Sequence, residues 1–492
     1  KKCSNHRVVR RHSTPRRAMG VHPAGVLPNG NALLLPSADA RALHARKTAG
    51  LGALAALDDA LLLSVFDRFT HDDDGAKTLA ALASTSKACR AFATHEDLWK
   101  SLTLNAYGGK FTFRGQSWLA TFRAAREART RKRPREDEKE EKDRRTIQCE
   151  IFSDVLHQRY MCAAMDVESE WVAEASTVPE ATSTMSVDEF RAKYESLNIP
   201  VVIRGAAKNW PAMKKWTRQA LVRKFGAIDF TVGGYEMALK DFFACSDGCS
   251  DDTPLYLFDP LFGEKAPELA NDYTVPEYFA RDDLFKLLGD DRPHYRWLIV
   301  GPSKSGSIFH KDPNATSAWN ACITGRKRWI MFKPNQNPPG VCPSADGAEV
   351  AQPHSLVEWF TSFYEFANKE GALECVCEPG DVLFVPSGWW HMALNLTECI
   401  AITQNYVSVA NLPKVLDFLD TKCENLVSGL DKNRRGGLSD RFVAALRASG
   451  DDALLAIVDA HARKKTSATQ KAKSIIGDAF ATASASSFSF SF

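Results

Sequence analysis

The stretch Glu378-Pro379-Gly380-Asp381-Val382-Leu383-Phe384-Val385-Pro386-Ser387-Gly388-Trp389-Trp390-His391 reads as strand, turn and returning strand. Pro379-Gly380 has turn chemistry, since proline presets φ and glycine accepts the left-handed region. Asp381 to Val385 is a short apolar run bounded by turn residues, the mark of a buried strand. Pro386 to Gly388 is a second turn, and His391 opens the strand that returns. The adjacent Trp389 and Trp390 are expected to wall whatever His391 faces and to exclude water from it.

Working outward, similar short runs recur through the second half of the chain: Val201 to Ile203, Phe230 to Val232, Tyr295 to Val300, Thr316 to Ile323, Trp329 to Phe332 and Ile400 to Val407. Helical patterns over Val187 to Leu197 and Leu356 to Asn368 fall between some of them. Many short strands with irregular connections predict a mainly β domain, a cupin-type double-stranded β-helix or jelly roll with flanking helices.

About eighty residues before His391 stands His310-Lys311-Asp312. On a strand, i and i+2 share a face, so His310 and Asp312 can both enter a barrel interior while Lys311 points away. Chance alone supplies about one or two His-x-Asp/Glu pairs in a chain of this composition. Three occur, and His71-x-Asp73 and His95-x-Asp97 lie in or beside a helical region, where i and i+2 do not share a face. His310, Asp312 and His391 together form the two-histidine, one-carboxylate facial triad of non-haem Fe(II) oxygenases, with positions left open for cosubstrate and O2. A 2-oxoglutarate cosubstrate needs a cation at its far carboxylate, and Lys327, following the Gly325 turn, is the candidate. Asn320, Thr403 and Asn405 supply uncharged hydrogen-bonding groups on neighbouring strands.

The chain has 492 residues, with 44% apolar and 25% charged residues, ordinary globular usage for two to four domains. A net charge of +3 argues against a strongly polyanionic partner for the whole chain. No apolar run approaches transmembrane length, so no membrane partner is expected. The twelve cysteines contain no C-x-x-C pair, which points to buried reduced thiols and not to a zinc knuckle. Residues 1–50 carry no acid before Asp39 and are expected to be a disordered basic region, with an organelle transit peptide as one reading of it. Leucines and phenylalanines at helical spacing predict a small all-α unit at 51–104, with Asp58-Asp59 near its first helix. The charges crowded between Arg123 and Arg145 mark 105–146 as a linker. Within it, Lys132-Arg133-Pro134-Arg135 has the composition of a nuclear import signal, so the nucleus is the expected compartment and the cytoplasm the alternative. The catalytic domain is expected at 147–412, C-terminal helices at 413–465 (as 414–427 and 438–464) and a disordered tail at 466–492. Those helices could cap the barrel or support a homodimer.

Taken together, these residues resemble the JmjC (jumonji C) family of 2-oxoglutarate oxygenases. The resemblance rests on Ile199 to Gly205, Asn209-Trp210-Pro211-Ala212, Pro254 to Asp259, Tyr295-Arg296-Trp297, Asp312-Pro313, Thr316 to Ala321, Gly325 to Trp329, Val385 to His391 and Ile402 to Asn405. It is similar to the subgroup of arginine demethylases and lysyl-hydroxylases, and to plant and protist proteins that place an F-box before such a domain. The resemblance implies that His310, Asp312 and His391 bind iron, that Asn320, Lys327, Thr403 and Ser307 bind 2-oxoglutarate, and that Tyr256 and Asn405 are further pocket contacts. Ser307 falls where the family usually has threonine, and both carry a hydroxyl. It further implies O2 as cosubstrate, ascorbate as reductant, and a protein substrate such as a histone tail or another basic nuclear protein. Lysyl hydroxylation and demethylation of methyl-arginine or methyl-lysine share the same iron site. The unit at 51–104 resembles an F-box, which implies docking of a Skp1-like ubiquitin-ligase adaptor, though Asp58-Asp59 stand where proline is usual. The alternative is an F-box adaptor whose barrel only binds substrates.

Overall fold

A computed structural model describes residues 21–30, 50–114, 117–130, 147–167, 176–280, 283–421 and 424–467, with positions 39, 41, 48 and 171. The chain divides into two compact units, one of residues 1–166 with 247–252 and the other of 167–246 with 253–492. The basic cluster Lys132 to Arg135, most of residues 1–50 and nearly all of the C-terminal tail lie outside the described residues. Among the described residues, no helix is long and apolar enough to cross a membrane.

The first unit is built on helices Asp59–Arg68, Gly75–Ala83, Lys87–Ala93, Glu96–Tyr107 and Trp118–Thr130. Asp58 caps the first of them by accepting the Leu61 N–H at 2.8 Å. Asp59 is 8% exposed and accepts from the Ser153 hydroxyl at 2.6 Å, so the paired acids serve as a cap and a buried anchor. Three boundaries differ from those expected. Val26–Leu27 (β1) pairs in parallel with Ile151–Phe152 (β2), so residues 21–30 are ordered and not part of a disordered arm. Nothing local signals this, because the strand's partner lies 125 residues away. Helix Trp118–Thr130 occupies the expected linker: Trp118 and Phe122 are buried, with the Phe122 ring 5.3 Å from Trp99. Charges dominate only its later turns. Residues 147–166 accordingly belong with the helices and not with the barrel.

The second unit holds the barrel. Its strands are β3 (Glu180–Thr182), β4 (Val201–Arg204), β5 (Asp229–Val232), β6 (Tyr235–Ala238), β7 (Leu257–Asp259), β8 (Arg296–Gly301), β9 (Gly306–His310), β10 (Ser317–Thr324), β11 (Lys327–Phe332), β12 (Cys342–Pro343), β13 (Val350–Ala351), β14 (Leu373–Cys377), β15 (Val382–Val385), β16 (Trp390–Asn395) and β17 (Cys399–Tyr406). One sheet runs β3-β4-β15-β10-β17-β8-β7-β5-β6, and a four-stranded sheet runs β14-β11-β16-β9. Ala318, Cys322, Leu383 and Val385 from the large sheet meet Trp329, Met331, Cys375 and Ala393 from the small one in a single apolar core. This is the jelly-roll arrangement expected from the strand pattern.

Two details place the site. Asp381 closes the turn that opens β15, its carboxylate accepting from the Gly205 N–H and the Glu378 N–H at 3.0 Å each. Gly306 opens β9 at φ +146°, where an added Cβ would lie 1.9 Å from the Ala393 carbonyl oxygen. Beyond the barrel, helices Leu412–Thr421 and Leu438–Ala448 bury Val415, Leu416, Phe442 and Leu446 together with Leu454 and Val458. The helix expected over 438–464 is broken because Gly450 adopts φ +69°, and residues 452–467 form a separate helix.

Gly306→Ala is expected to push β9 from β16 and to lower the melting temperature, at a cost above about 1–3 kcal/mol. Circular dichroism melting checks this, and a variant as stable as the parent would contradict the close approach of the two strands.

Candidate active site

The two histidines meet because β16 and β9 pair with His391 directly opposite His310, and the register slips between His391 and Ala393. A bulge at that point re-aims the strand ending in His310. The ring centroids lie 4.2 Å apart at 55°. Asp312 follows at φ −57°, ψ 141°, the extended geometry imposed on a residue before proline. Its Oδ1 is 3.8 Å from His391 Nε2, and one donor atom from each of the three side chains lies within 4.8 Å of the others.

The imidazole tautomers follow from the backbone. His310 Nδ1 lies 2.7 Å from the Ile308 carbonyl and His391 Nδ1 lies 3.0 Å from the Trp389 carbonyl. A carbonyl only accepts, so each Nδ1 carries the hydrogen and each Nε2 keeps its lone pair for a metal. Burial, then the neighbouring His391, pushes the His310 pKa down to about 4, and burial lowers His391 to about 4 as well. Both rings are neutral donors at physiological pH. Burial also raises Asp312 to about 6, and its Oδ2 is buried without a hydrogen-bond partner. A carboxylate held this way gains from a divalent cation, so the donor set fits iron.

A second group of polar side chains lies on the neighbouring strands β10, β11 and β17. Lys327 is 1% exposed and forms no ion pair among the described residues, its Nζ standing 5.7 Å from the Trp329 ring centroid. A buried ammonium without a counter-charge is costly, and a ligand carboxylate would offset that cost. The buried Tyr256 hydroxyl faces Lys327 and Ser307. Asn320 pairs with Thr403 across β10 and β17, its Oδ1 buried and without a partner, while the Thr403 hydroxyl donates to the Trp319 carbonyl at 2.8 Å. Trp329, 6.1 Å from the His391 ring, spans the distance between the metal donors and Lys327. The arrangement suits a linear dicarboxylate chelating at one end and ion-paired at the other.

Asn405 donates to the Thr316 hydroxyl at 2.8 Å and stands against Asp312, whose pKa it lowers, so it lies at the metal end of the pocket. One expected placement differs. Trp329, which shares the apolar core with Trp389, is the ring beside His391, and Trp390, on the opposite face of β16, lies beneath the Lys311 ammonium at 4.8 Å. Sequence reading passed over Trp329, although it lies two residues after Lys327 on the same strand. Also passed over were Asn395, buried opposite Lys327, and the pair Phe258 and Trp297. Trp297 sits opposite Thr403 on β8, and its ring stacks on Phe258 at 5.3 Å and 16°. Cross-strand register of this kind leaves no trace in one sequence.

A jelly roll with two histidines and one carboxylate converging on a cation site, above a buried lysine, defines a metal- and 2-oxo-acid-dependent oxygenase of the cupin class. Comparison with known proteins agrees. The model of the Cupin-like domain family matches residues 234–411. The arginine-specific demethylase JMJ22 of Arabidopsis thaliana is 43% identical over 425 residues, 86% of this chain and 80% of the relative. The bifunctional arginine demethylase and lysyl-hydroxylase psr-1 of Caenorhabditis elegans is 38% identical over 47% of this chain and 61% of its own length. The 2-oxoglutarate and iron-dependent oxygenase JMJD4 of Gallus gallus is 32% identical over 37% of this chain and 41% of its own length. The chain belongs to the JmjC family of iron- and 2-oxoglutarate-dependent oxygenases.

Lys327→Met is expected to weaken 2-oxoglutarate binding about 10- to 100-fold, the loss of one charge-assisted pair, with little change in metal affinity. His310→Ala is expected to lose the metal. Calorimetric titration of each variant checks both, and equal 2-oxoglutarate affinity in the methionine variant would remove Lys327 from the pocket.

Proposed function

We propose that the chain oxidises basic side chains of proteins, removing N-methyl groups from arginine or lysine or hydroxylating lysine. His310, Asp312 and His391 hold Fe(II), while Lys327, Tyr256, Ser307, Asn320 and Thr403 bind 2-oxoglutarate. When bound, the iron with its keto-acid cosubstrate and O2 supplies an oxidant able to break a C–H bond. The protein's own part is placement. Nδ1 hydrogen bonds to backbone carbonyls hold the two rings in one tautomer, Lys327 fixes the far carboxylate, and the apolar core excludes water from the space between. Attack at a side-chain methylene yields a stable alcohol. Attack at an N-methyl yields a hemiaminal that collapses with loss of formaldehyde.

The observation that carries the reading is the aromatic pair beside Thr403. Phe258 is 40% exposed in a row of near-parallel rings, 5.3 Å from Trp297 and 6.4 Å from Tyr256, an aromatic surface suited to a guanidinium or ammonium passing the cosubstrate. The demethylase and hydroxylase named among the relatives support a basic protein side chain as substrate, and the Lys132 to Arg135 composition supports a nuclear one, such as a histone. The test supplies Fe(II), 2-oxoglutarate, ascorbate and methyl-arginine, methyl-lysine and unmodified lysine peptides, with mass spectrometry of the products. A mass loss of one methyl or a gain of one oxygen on a basic residue is expected. In Phe258→Ala, the peptide KM is expected to rise about 5- to 30-fold. Succinate formation with no change to any basic peptide would contradict this substrate class.

A second role rests on the helical unit. On helix Asp59–Arg68, Leu61 is 54% exposed and Val65 39%, one turn apart, while Leu62, Leu63 and Phe66 are buried. Two aliphatic side chains left outside on one face suit docking of a Skp1-like adaptor, as an F-box would. Leu61→Asp is expected to abolish capture of such an adaptor by the full chain, and a parent chain that captures none would contradict the reading.

A further inference from the structure

The turn after Asp312 is held in an unusual conformation. Asn314 and Ala315 both lie in the left-handed region, at φ +56° and +55°, directly after the carboxylate and Pro313. Asparagine tolerates that region better than most residues, but two consecutive non-glycine positions persist there only when surrounding contacts over-determine them. Those contacts come from two directions. From the barrel, the Ser387 hydroxyl donates to the Ala315 carbonyl at 2.6 Å, and Asn405 holds the Thr316 hydroxyl at 2.8 Å. From the C-terminal segment comes a pair of hydrogen bonds. Asn314 is 3% exposed, its Nδ2 donates to the Ser428 carbonyl at 3.0 Å, and its Oδ1 accepts the Ser428 N–H at 3.1 Å.

That segment is itself anchored. The Gly429 carbonyl accepts the His294 N–H at 2.8 Å, and Gly429, at φ +81°, leaves no room for a Cβ, which would meet His294 N at 2.8 Å. Val427 and Leu430 on either side are buried with Leu438. Ser428 contributes only its backbone to the grip, and its own side chain is exposed.

We propose that Asn314 is a positioning residue for the metal centre, setting the direction in which Asp312 presents its carboxylate by gripping the Ser428 backbone from the left-handed turn. The C-terminal segment 427–430 is thereby part of the iron site's support. This rests on the reading of His310, Asp312 and His391 as the metal ligands.

The test reads metal binding and not turnover. Co(II) titration, followed by its visible absorption, is run on the full chain and on Asn314→Gly, which keeps the backbone conformation and removes the grip. Binding is expected to weaken about 10- to 100-fold, the range for groups that orient a metal ligand, with an altered Co(II) spectrum. Asn314→Asp keeps the acceptor for the Ser428 N–H and is expected to fall between the two, which reads the grip even if the glycine variant folds poorly. Ser428→Ala is expected to match the parent. Parent-like Co(II) affinity and spectrum in Asn314→Gly, or in Asn314→Asp, would overturn the proposal whatever their melting temperatures. A parent chain that binds no more Co(II) than His310→Ala would instead overturn the metal centre itself, and the positioning role with it.

Discussion

Charge without a counter-charge organises the barrel interior. Lys327 is buried with no ion pair among the described residues, and at the other end Asp312 has a buried oxygen with no hydrogen-bond partner. Neither group would be stable in an apolar core for its own sake. Both become favourable when a cation sits between Asp312 and the two Nε2 atoms and an anion sits against Lys327. Most of the surrounding structure keeps these two ends apart at a fixed distance. Trp329 lies between them, the β10–β17 register sets Asn320 opposite Thr403, and the β9–β16 pairing brings the two histidines together.

The meeting of His310, Asp312 and His391 and the barrel around them were legible because their signals are local. His310 and Asp312 are i, i+2 at the end of a strand, and His391 follows a strand bounded by Pro379-Gly380 and Pro386 to Gly388. β-strand periodicity and turn chemistry are short-range properties, and the observed β10, β11 and β17 begin and end within two residues of the expected runs. The inward-facing position of Lys327 was legible for the same reason, as the first residue of the strand after the Gly325 turn.

What escaped the sequence depends on pairing across long distances. Val26 finds Ile151, Trp297 finds Thr403, and Asn314 finds Ser428. No window of residues records such partners, and composition can mislead: the charged run that reads as linker begins inside a helix whose first turns bury Trp118 and Phe122. The same limit hides the particular contact of Asn405: two residues beyond Thr403 on β17, it stands against Asp312 and donates to the Thr316 hydroxyl of the turn that follows.

The most direct test of the account is turnover of the iron-loaded full chain under 18O2 with 2-oxoglutarate, reading the label in succinate by mass spectrometry. The account predicts succinate carrying one labelled oxygen in the parent and none formed when Asp312 is replaced by alanine. Iron-loaded parent protein that yields no labelled succinate would contradict it.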